Sequence, residues 1–201
     1  MDMGEKGYGT FASNKTFRYS LENSGYGVRE ISLEHPVAED INIIVLADMR
    51  SDFTEEEFRN FDAYLERGGN LFILGEPKRQ QFMNPVIERL GLRFADGIIV
   101  SPSEVNLDDL VAANIKEGAA KVSENYIRYF RSGYSIMTPS ACAVEVIDST
   151  KGFEITEVLA SAGKGSWVEK ETTDFINEKS VLNPAVGEVE KSNSIMLYLT
   201  R

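Results

Sequence analysis

Hydrophobic residues follow their most regular pattern between residues 41 and 77. Two continuous apolar runs, 41–47 and 71–74, are typical of strands that are covered on both faces of a sheet. Between them, apolar side chains recur at helical spacing on one stripe: Phe58, Phe61, Tyr64 and Leu65. We therefore expect Phe61 and Leu65 to be buried. The order strand, helix, strand predicts a right-handed βαβ unit of a parallel sheet.

Capping residues define both ends of the predicted helix. Thr54 is a typical N-cap, and Glu57, three positions later, completes a capping box. Gly68 supplies a left-handed C-cap, and Gly69 lets the chain reverse toward the second strand. We therefore predict a positive φ angle at Gly68.

Alternating patterns and turn residues predict further elements on either side of this unit. Upstream they indicate a helix over 13–24 and a strand over 26–33. Downstream, Asn84 followed by Pro85 indicates the start of another helix. A helix over 119–131 and several short strands are also predicted, the first two joined by an Asp96-Gly97 turn: 92–94, 98–100, 110–115, 134–137, 143–147, 153–160 and 194–200.

These elements predict one α/β domain over residues 1–201, with three layers, a mostly parallel sheet and extra C-terminal strands. Residues 1–12 are expected to be a flexible N-terminal segment, and 163–187 a long loop. Trp167, the single tryptophan, is expected to tether that loop to the core.

Composition excludes some classes of function. The net charge of −11 argues against a nucleic-acid partner, since phosphate binding needs a basic face. The single cysteine permits no intramolecular disulfide. The apolar runs are far shorter than the roughly 20 residues that span a bilayer. Because residues 1–10 are polar and glycine-rich, and 194–200 is an apolar strand, we expect the sequence to be a piece of a longer protein.

Charged residues follow both strands of the predicted βαβ unit. In an open α/β sheet, ligands bind beyond the carboxyl ends of the strands. Asp48 and Arg50 follow the first strand, and Glu76 and Lys78 follow the second, so we predict a ligand- or partner-binding site there. Asp48, Asp52 and Glu76 also suit a magnesium ion, but turn roles for the two aspartates are the preferred interpretation. No metal and no cofactor is predicted.

A nucleophilic centre is not indicated by the sequence. Glu76 occupies the turn where a nucleophile elbow would place serine or cysteine. The single histidine, His35, precedes a proline in a loop, and Cys142 is expected to pack as a small buried residue. The segment 163–166 has the composition of a phosphate loop without its spacing.

Four stretches resemble a known family: FASNKTFRYSLENSGYGV, INIIVLADMRSDFTEEEFRNFDAYLERGGNLFILGEP, GSWVEKE and SIMLYLTR. They are similar to the soluble domain of GldG-type proteins, auxiliary components of ABC-type transport systems related to gliding-motility proteins of Bacteroidetes. The similarity is strongest over residues 11–100. Its most specific stretch is matched by these residues: Thr54, Glu56, Glu57, Tyr64, Leu65, Arg67, Gly68, Gly69, Glu76 and Pro77.

The resemblance implies a flavodoxin-like fold, similar to class I glutamine amidotransferases but without their catalytic cysteine. It also implies an extracytoplasmic (periplasmic) location between membrane segments, beside an ABC-2 type permease and an ABC ATPase. That family has no established catalytic residues, so none is carried over to this sequence. Relatives often begin with a Gly-His-Gly-Glu-like string, whereas this chain has Gly4-Glu5-Lys6.

Three hypotheses follow. The first is a non-enzymatic domain that binds a permease loop, an envelope component or a small ligand at the edge formed by Asp48 and Glu76. The second is a divergent hydrolase or amidotransferase-like enzyme that uses Glu76 with Asp48, which requires a polar cavity at Glu76. The third is a structural spacer, which predicts an exposed apolar patch.

Overall fold

A computed structural model describes residues 21–201 of the chain. The predicted flexible segment 1–12 and most of the predicted helix 13–24 lie outside these residues. The described chain divides into two compact units, residues 21–42 with 54–70, and residues 43–53 with 71–201.

The first unit is built on helix α1 (Glu55–Glu66). Its predicted capping box is confirmed, since Thr54 Oγ1 accepts the Glu57 N–H and Glu57 Oε2 accepts the Thr54 N–H. Phe61 is fully buried as predicted, whereas Leu65 is only half-buried. Gly68 has a φ of 87°, which confirms the predicted left-handed end of the helix.

Hydrogen bonds from α1 and from Arg67, the residue that follows it, hold the preceding loop of the first unit in place. Arg67 donates to the carbonyl oxygens of Val37 at 2.9 Å and Ala38 at 2.7 Å, and Asn60 donates to the Leu33 carbonyl at 2.8 Å. The strand predicted over 26–33 is wrong, because this segment forms no strand and its side chains are mostly exposed. Alternation alone does not make a strand when no neighbouring strand accepts its backbone hydrogen bonds.

The second unit contains two short helices and most of the strands. The helices are α2 (Gln80–Ile87) and α3 (Glu124–Arg131). Strand β2 begins at Asn70, the last residue of the first unit. The strands are β1 (Ile43–Ala47), β2 (Asn70–Leu74), β3 (Leu92–Phe94), β4 (Ile98–Val100), β5 (Leu110–Ile115), β6 (Ser135–Pro139), β7 (Val144–Val146), β8 (Glu154–Ala160), β9 (Trp167–Glu169) and β10 (Ser194–Thr200).

Antiparallel pairing dominates the sheets, so the prediction of a three-layer, mostly parallel, flavodoxin-like or amidotransferase-like fold is wrong. The largest sheet has the order β10-β8-β5-β6 and curls into a half-barrel. Strands β3 and β7 form a second pair, β4 and β9 a third, and β1 and β2 a fourth. Parallel neighbours need long crossover connections, usually helices, and after β6 the described chain has strands separated by loops and a single 3₁₀ turn.

The pair β1 and β2 is not covered on both faces, contrary to the prediction. Ile43 and Val45 are 47% and 43% exposed, and Phe72 and Leu74 are 50% and 39% exposed. The apolar runs of β1 and β2 therefore do not mark strands that are buried on both faces of the sheet.

Two predicted element boundaries also differ. Asn84 does not cap a helix, because α2 begins at Gln80 and the Asn84 side chain instead bonds both backbone polar groups of Phe94. The helix predicted over 119–131 is divided into a 3₁₀ turn (Glu117–Lys121) and α3. Strands β3 and β4 form as predicted, but each pairs with a distant strand rather than with the other.

Trp167 anchors the C-terminal half of the second unit. It is buried and packs with Ile98, Val100 and Phe175, which confirms the predicted tethering role. Its indole N–H donates to the buried carboxylate of Glu169 at 3.2 Å. The segment 163–187, which was predicted to be a long loop, contains strand β9. This strand pairs with β4, which lies about seventy residues earlier in the chain.

Candidate functional site

Asp48 is the centre of the candidate site, immediately after β1. Its side chain is buried, and its backbone is left-handed with a φ of 44°. Asp48 Oδ2 accepts hydrogen bonds from Arg50 Nε at 3.0 Å and Nη2 at 2.6 Å. Asp48 Oδ1 accepts one from Arg79 Nε at 3.3 Å. Two guanidinium groups therefore hold one buried carboxylate, an arrangement of charge-assisted hydrogen bonds.

Arg79 was missed by the sequence analysis. It directly precedes α2 and its carbonyl accepts the N–H groups of Phe82 and Met83. Its position in the same loop as Glu76 and Lys78 was a signal, but no local pattern indicated that it would reach Asp48.

Glu76 and Lys78 lie in the loop after β2, and Lys78 also has a left-handed φ of 65°. Among the described residues, neither Arg50 nor Lys78 forms an ion pair with Glu76. Left-handed φ angles at non-glycine residues carry strain and concentrate at functional sites. Such residues follow both strands of this pair, at Asp48 and Lys78.

Cys142 lies close to the candidate site in the second unit. Gln80 Nε2 lies 3.9 Å from the Cys142 sulfur. Burial, together with the negative charge of Glu76, raises the pKa of the Cys142 thiol to about 12. The thiol is therefore protonated at neutral pH and is a poor nucleophile.

Charge distinguishes this site from the chain as a whole. Three positive groups, Arg50, Lys78 and Arg79, accompany two carboxylates, Asp48 and Glu76, which leaves one net positive charge in a chain of net charge −11. Half of the Arg50 side chain and a third of the Arg79 side chain are exposed. Guanidinium donors that Asp48 does not use are thus available to an anionic group.

Other sequence candidates do not form sites in the described residues. No three His, Cys, Asp or Glu side chains of residues 21–201 lie together in a way that holds a metal ion. His35 is exposed in a turn of the first unit. In the segment 163–166, the Gly165 N–H donates a hydrogen bond to the carboxylate of Glu190. This N–H is therefore not available to bind a phosphate.

A polar depression of about 420 Å³ lies elsewhere in the second unit. Glu76 and Asp48 are not among its lining residues. Its charged groups are largely paired, Arg93 with Glu88 at 2.7 Å and Lys191 with Glu145 at 3.5 Å. It therefore does not supply the cavity that the hydrolase hypothesis requires at Glu76.

Comparison with solved structures finds a chain described as "mmIFT52 N-terminal domain", 15% identical and with a TM-score of 0.45. The match covers 67% of this chain and 61% of that chain. No curated protein matches the sequence. No helix within residues 21–201 has the length and apolar character needed to cross a membrane.

A family model matches residues 5–175, which is most of the chain. That family is described as an ABC-type uncharacterized transport system, and its name denotes an auxiliary component. The match agrees with the resemblance of residues 11–100 at the level of an auxiliary transport component. The chain belongs to the family of ABC-type uncharacterized transport system auxiliary proteins.

Proposed function

We propose that this chain is a non-catalytic binding domain of its transport system, acting on the extracytoplasmic side. Its docking site is the group Asp48, Arg50, Glu76, Lys78 and Arg79, hereafter the Asp48 site. The observation that carries the proposal is the buried Asp48 carboxylate between two partly exposed arginines.

The geometry of the Asp48 site suits an anionic group on a partner. Asp48 fixes the Nε edge of both guanidinium groups, so their outer N–H groups are oriented before any partner arrives. A carboxylate or phosphate accepts such paired donors with defined direction. Lys78, which is exposed, adds a third positive charge at the rim.

Two observations favour binding over catalysis. The Cys142 thiol, with a pKa of about 12, does not ionise near neutral pH. Both carboxylate oxygens of Asp48 already accept hydrogen bonds from arginines, so neither is directed toward a proton of a substrate. A hydrolase using Glu76 and Asp48 would need Asp48 free to exchange protons.

The partner we favour is the ABC-2 type permease of the same system, with the ABC ATPase attached to that permease. Support comes from the family membership, which associates the chain with an ABC transport system. A relation to gliding motility is an additional prediction of the GldG-type resemblance.

Co-purification tests the docking site. The chain is expressed with the permease and ATPase of its own system, and the complex is isolated from detergent-solubilised membranes through a tag on the chain. The double variant Arg50→Ala/Arg79→Ala should lose the permease at least tenfold. Arg59→Ala is the control, because Arg59 is an exposed arginine that pairs with Glu56 outside the Asp48 site. Unchanged recovery with a folded double variant would overturn the docking site.

Location and catalysis are tested separately. A phosphatase reporter fused to the chain in the full-length protein should be active only if the chain lies outside the cytoplasm. The Glu76→Gln variant removes a negative charge and keeps the three positive groups of the Asp48 site, so it should still bind an anionic partner and support transport. Hydrolytic turnover that disappears with Glu76→Gln while the fold survives would promote the enzyme hypothesis.

A further inference from the structure

The largest sheet ends at β6, whose outer edge is unpaired within residues 21–201. Every residue from 128 to 137 is exposed, and α3 contributes no buried side chain. Exposed large apolar residues concentrate here: Tyr129, Phe130, Tyr134, Ile136 and Met137. We call β6 together with residues 128–134 the β6 surface. Its composition resembles that of protein interfaces, which are enriched in tyrosine, phenylalanine, methionine and arginine.

The backbone of β6 offers hydrogen-bonding groups to a further strand. The Ser140 N–H donates to the Asp109 carbonyl at 2.9 Å. In this antiparallel pair, the backbone N–H and C=O groups of the even-numbered residues of β6 therefore face β5. The backbone N–H and C=O groups of the odd-numbered residues therefore point away from β5. Ser135 and Met137 each present an N–H and a C=O, while Pro139 presents only a C=O.

The side chains of β6 show that the core extends to this edge. Ile136 is opposite Ala113, and Thr138 is opposite Val111, and both β5 residues are fully buried. Residues opposite each other share one face of a sheet. Ile136 thus stands on the core face but is 40% exposed, so a strand added beside β6 would cover it.

The two ends of β6 differ in charge. Arg128 and Arg131 lie in the last turn of α3, just before the Ser135 end, and neither forms an ion pair with the described residues. At the other end, the half-buried carboxylate of Asp109 accepts a hydrogen bond from the Ser140 hydroxyl, and Leu107 is 48% exposed. One end therefore carries two arginines and aromatic side chains, and the other carries one carboxylate and an aliphatic side chain.

We propose that β6 pairs antiparallel with β6 of a second copy of this chain, about a twofold axis at Met137. Antiparallel self-pairing places each basic end against the partner's acidic end, which is the charge complementarity that an isologous contact needs. Met137 bonds the partner's Met137 through both backbone groups, and the Ser135 N–H donates to the C=O of the partner's Pro139. The two four-stranded sheets become one continuous eight-stranded sheet.

Because the backbone N–H of Met137 points away from β5, a proline at this position disturbs the free edge without breaking the β5–β6 hydrogen bonds. Met137→Pro removes an N–H that faces away from β5, so the folded sheet keeps its own hydrogen bonds while the edge loses its central donor. Met137→Val is the matched control, because it keeps the N–H and suits a strand. Sedimentation equilibrium of the unmodified chain should show a monomer–dimer transition at concentrations on the order of 1–100 μM. Met137→Pro should raise the dissociation constant of the dimer at least tenfold, and Met137→Val should leave it unchanged.

Folding of each variant is checked by far-UV circular dichroism and Trp167 fluorescence.

A second measurement, disulfide cross-linking, does not depend on the proline variant. In a Cys142→Ala background, Met137→Cys should form a disulfide-linked dimer, since residues directly opposite in an antiparallel pair have Cα atoms about 5.5 Å apart. Lys164→Cys, in an exposed turn, should not. Arg131→Glu should weaken the dimer at low salt. A chain that stays monomeric, or a dimer that Met137→Pro leaves intact without Met137→Cys cross-linking, would overturn the proposal.

Discussion

The aromatic ring of Tyr64 lies directly over the backbone of Gly69. A Cβ atom at Gly69 would come within 2.2 Å of Tyr64 Cζ. The Tyr64 hydroxyl donates to the Asn70 carbonyl at 2.8 Å, and the Gly69 N–H donates to the Tyr64 carbonyl at 3.0 Å. The fully buried tyrosine therefore closes the turn after α1, and the residue at 69 has to lack a side chain.

Gly69→Ala should destabilise the protein by about 1–3 kcal/mol, because the new methyl group displaces a buried ring. Urea denaturation followed by far-UV circular dichroism measures the effect. The cause is tested by repeating Gly69→Ala in a Tyr64→Leu background, where the added cost should be much smaller. Equal costs in the two backgrounds would exclude the ring as the cause.

Gly68 should respond for a different reason. Nothing lies within 4 Å of a Cβ placed there, but its φ of 87° is left-handed. Gly68→Ala should cost about 1 kcal/mol through backbone strain, and Gly68→Val more, while Gly68→Asn should cost less because asparagine tolerates this region. Equal costs for the alanine and asparagine variants would contradict this explanation.

These local features were predictable because they depend on neighbouring residues. The capping box of Thr54 and Glu57 and the reversal at Gly68 are fixed within one or two helical turns. Strands β5 and β10 also have the predicted bounds. Sheet pairing was not predictable in this way, since β4 finds its partner β9 about seventy residues away through long-range packing that includes Trp167.

The candidate site was predictable in part for the same reason. Asp48 and Arg50 are two residues apart, so their pairing needs only a local turn. Arg79 reaches Asp48 across thirty-one positions, and only the pairing of β1 with β2 brings the two loops together. Single-sequence patterns contain no information about that distance.

Replacing Asp48 by asparagine should destabilise the second unit by about 1–3 kcal/mol, because Arg50 and Arg79 lose the charge they share. Asparagine tolerates the left-handed φ of this position, so the variant isolates the effect of charge. Asp48→Ala should cost more, since it adds backbone strain. Denaturation followed by Trp167 fluorescence reports on this unit. Asp40→Asn, at an exposed pair with Arg29, is the control and should change stability by less than about 1 kcal/mol.

Cys142 makes stability dependent on alkaline pH. The pKa of its thiol is about 12 in the folded protein, above the ordinary value of 9.0. The folded state therefore holds the proton more tightly, and this contribution is present below pH 9 and is lost as the pH rises toward about 12. The stability difference between the unmodified chain and Cys142→Ala should shrink over this range. Iodoacetamide should modify Cys142 at pH 8 only after denaturation.

Asp108 should determine stability at acidic pH. Its side chain is fully buried, and it joins its own loop to the C-terminal segment. Asp108 Oδ2 accepts the Ser180 N–H at 2.7 Å, and Oδ1 accepts Lys179 Nζ at 3.0 Å. Burial opposes ionisation, but the Ser180 hydrogen bond and the Lys179 charge outweigh it and lower the pKa of Asp108 below its ordinary value. The folded state therefore binds this proton more weakly than the unfolded state does.

The stabilisation from Asp108 is consequently present above its unfolded pKa, near 3.8, and is lost as the pH falls through the lower folded value. Asp108→Asn should cost about 2–4 kcal/mol at pH 7, because it leaves the Ser180 N–H and Lys179 without their charged acceptor. The cost should diminish as the pH falls below 3.8, because the unfolded chain then binds the proton while the folded side chain stays charged down to its lower pKa. Lys179→Met should cost less, since most of that lysine side chain is exposed and water replaces its partner. Asp174→Asn is the control on an exposed turn. If its effect at pH 7 equals that of Asp108→Asn, the buried hydrogen bonds of Asp108 do not hold the C-terminal segment in place.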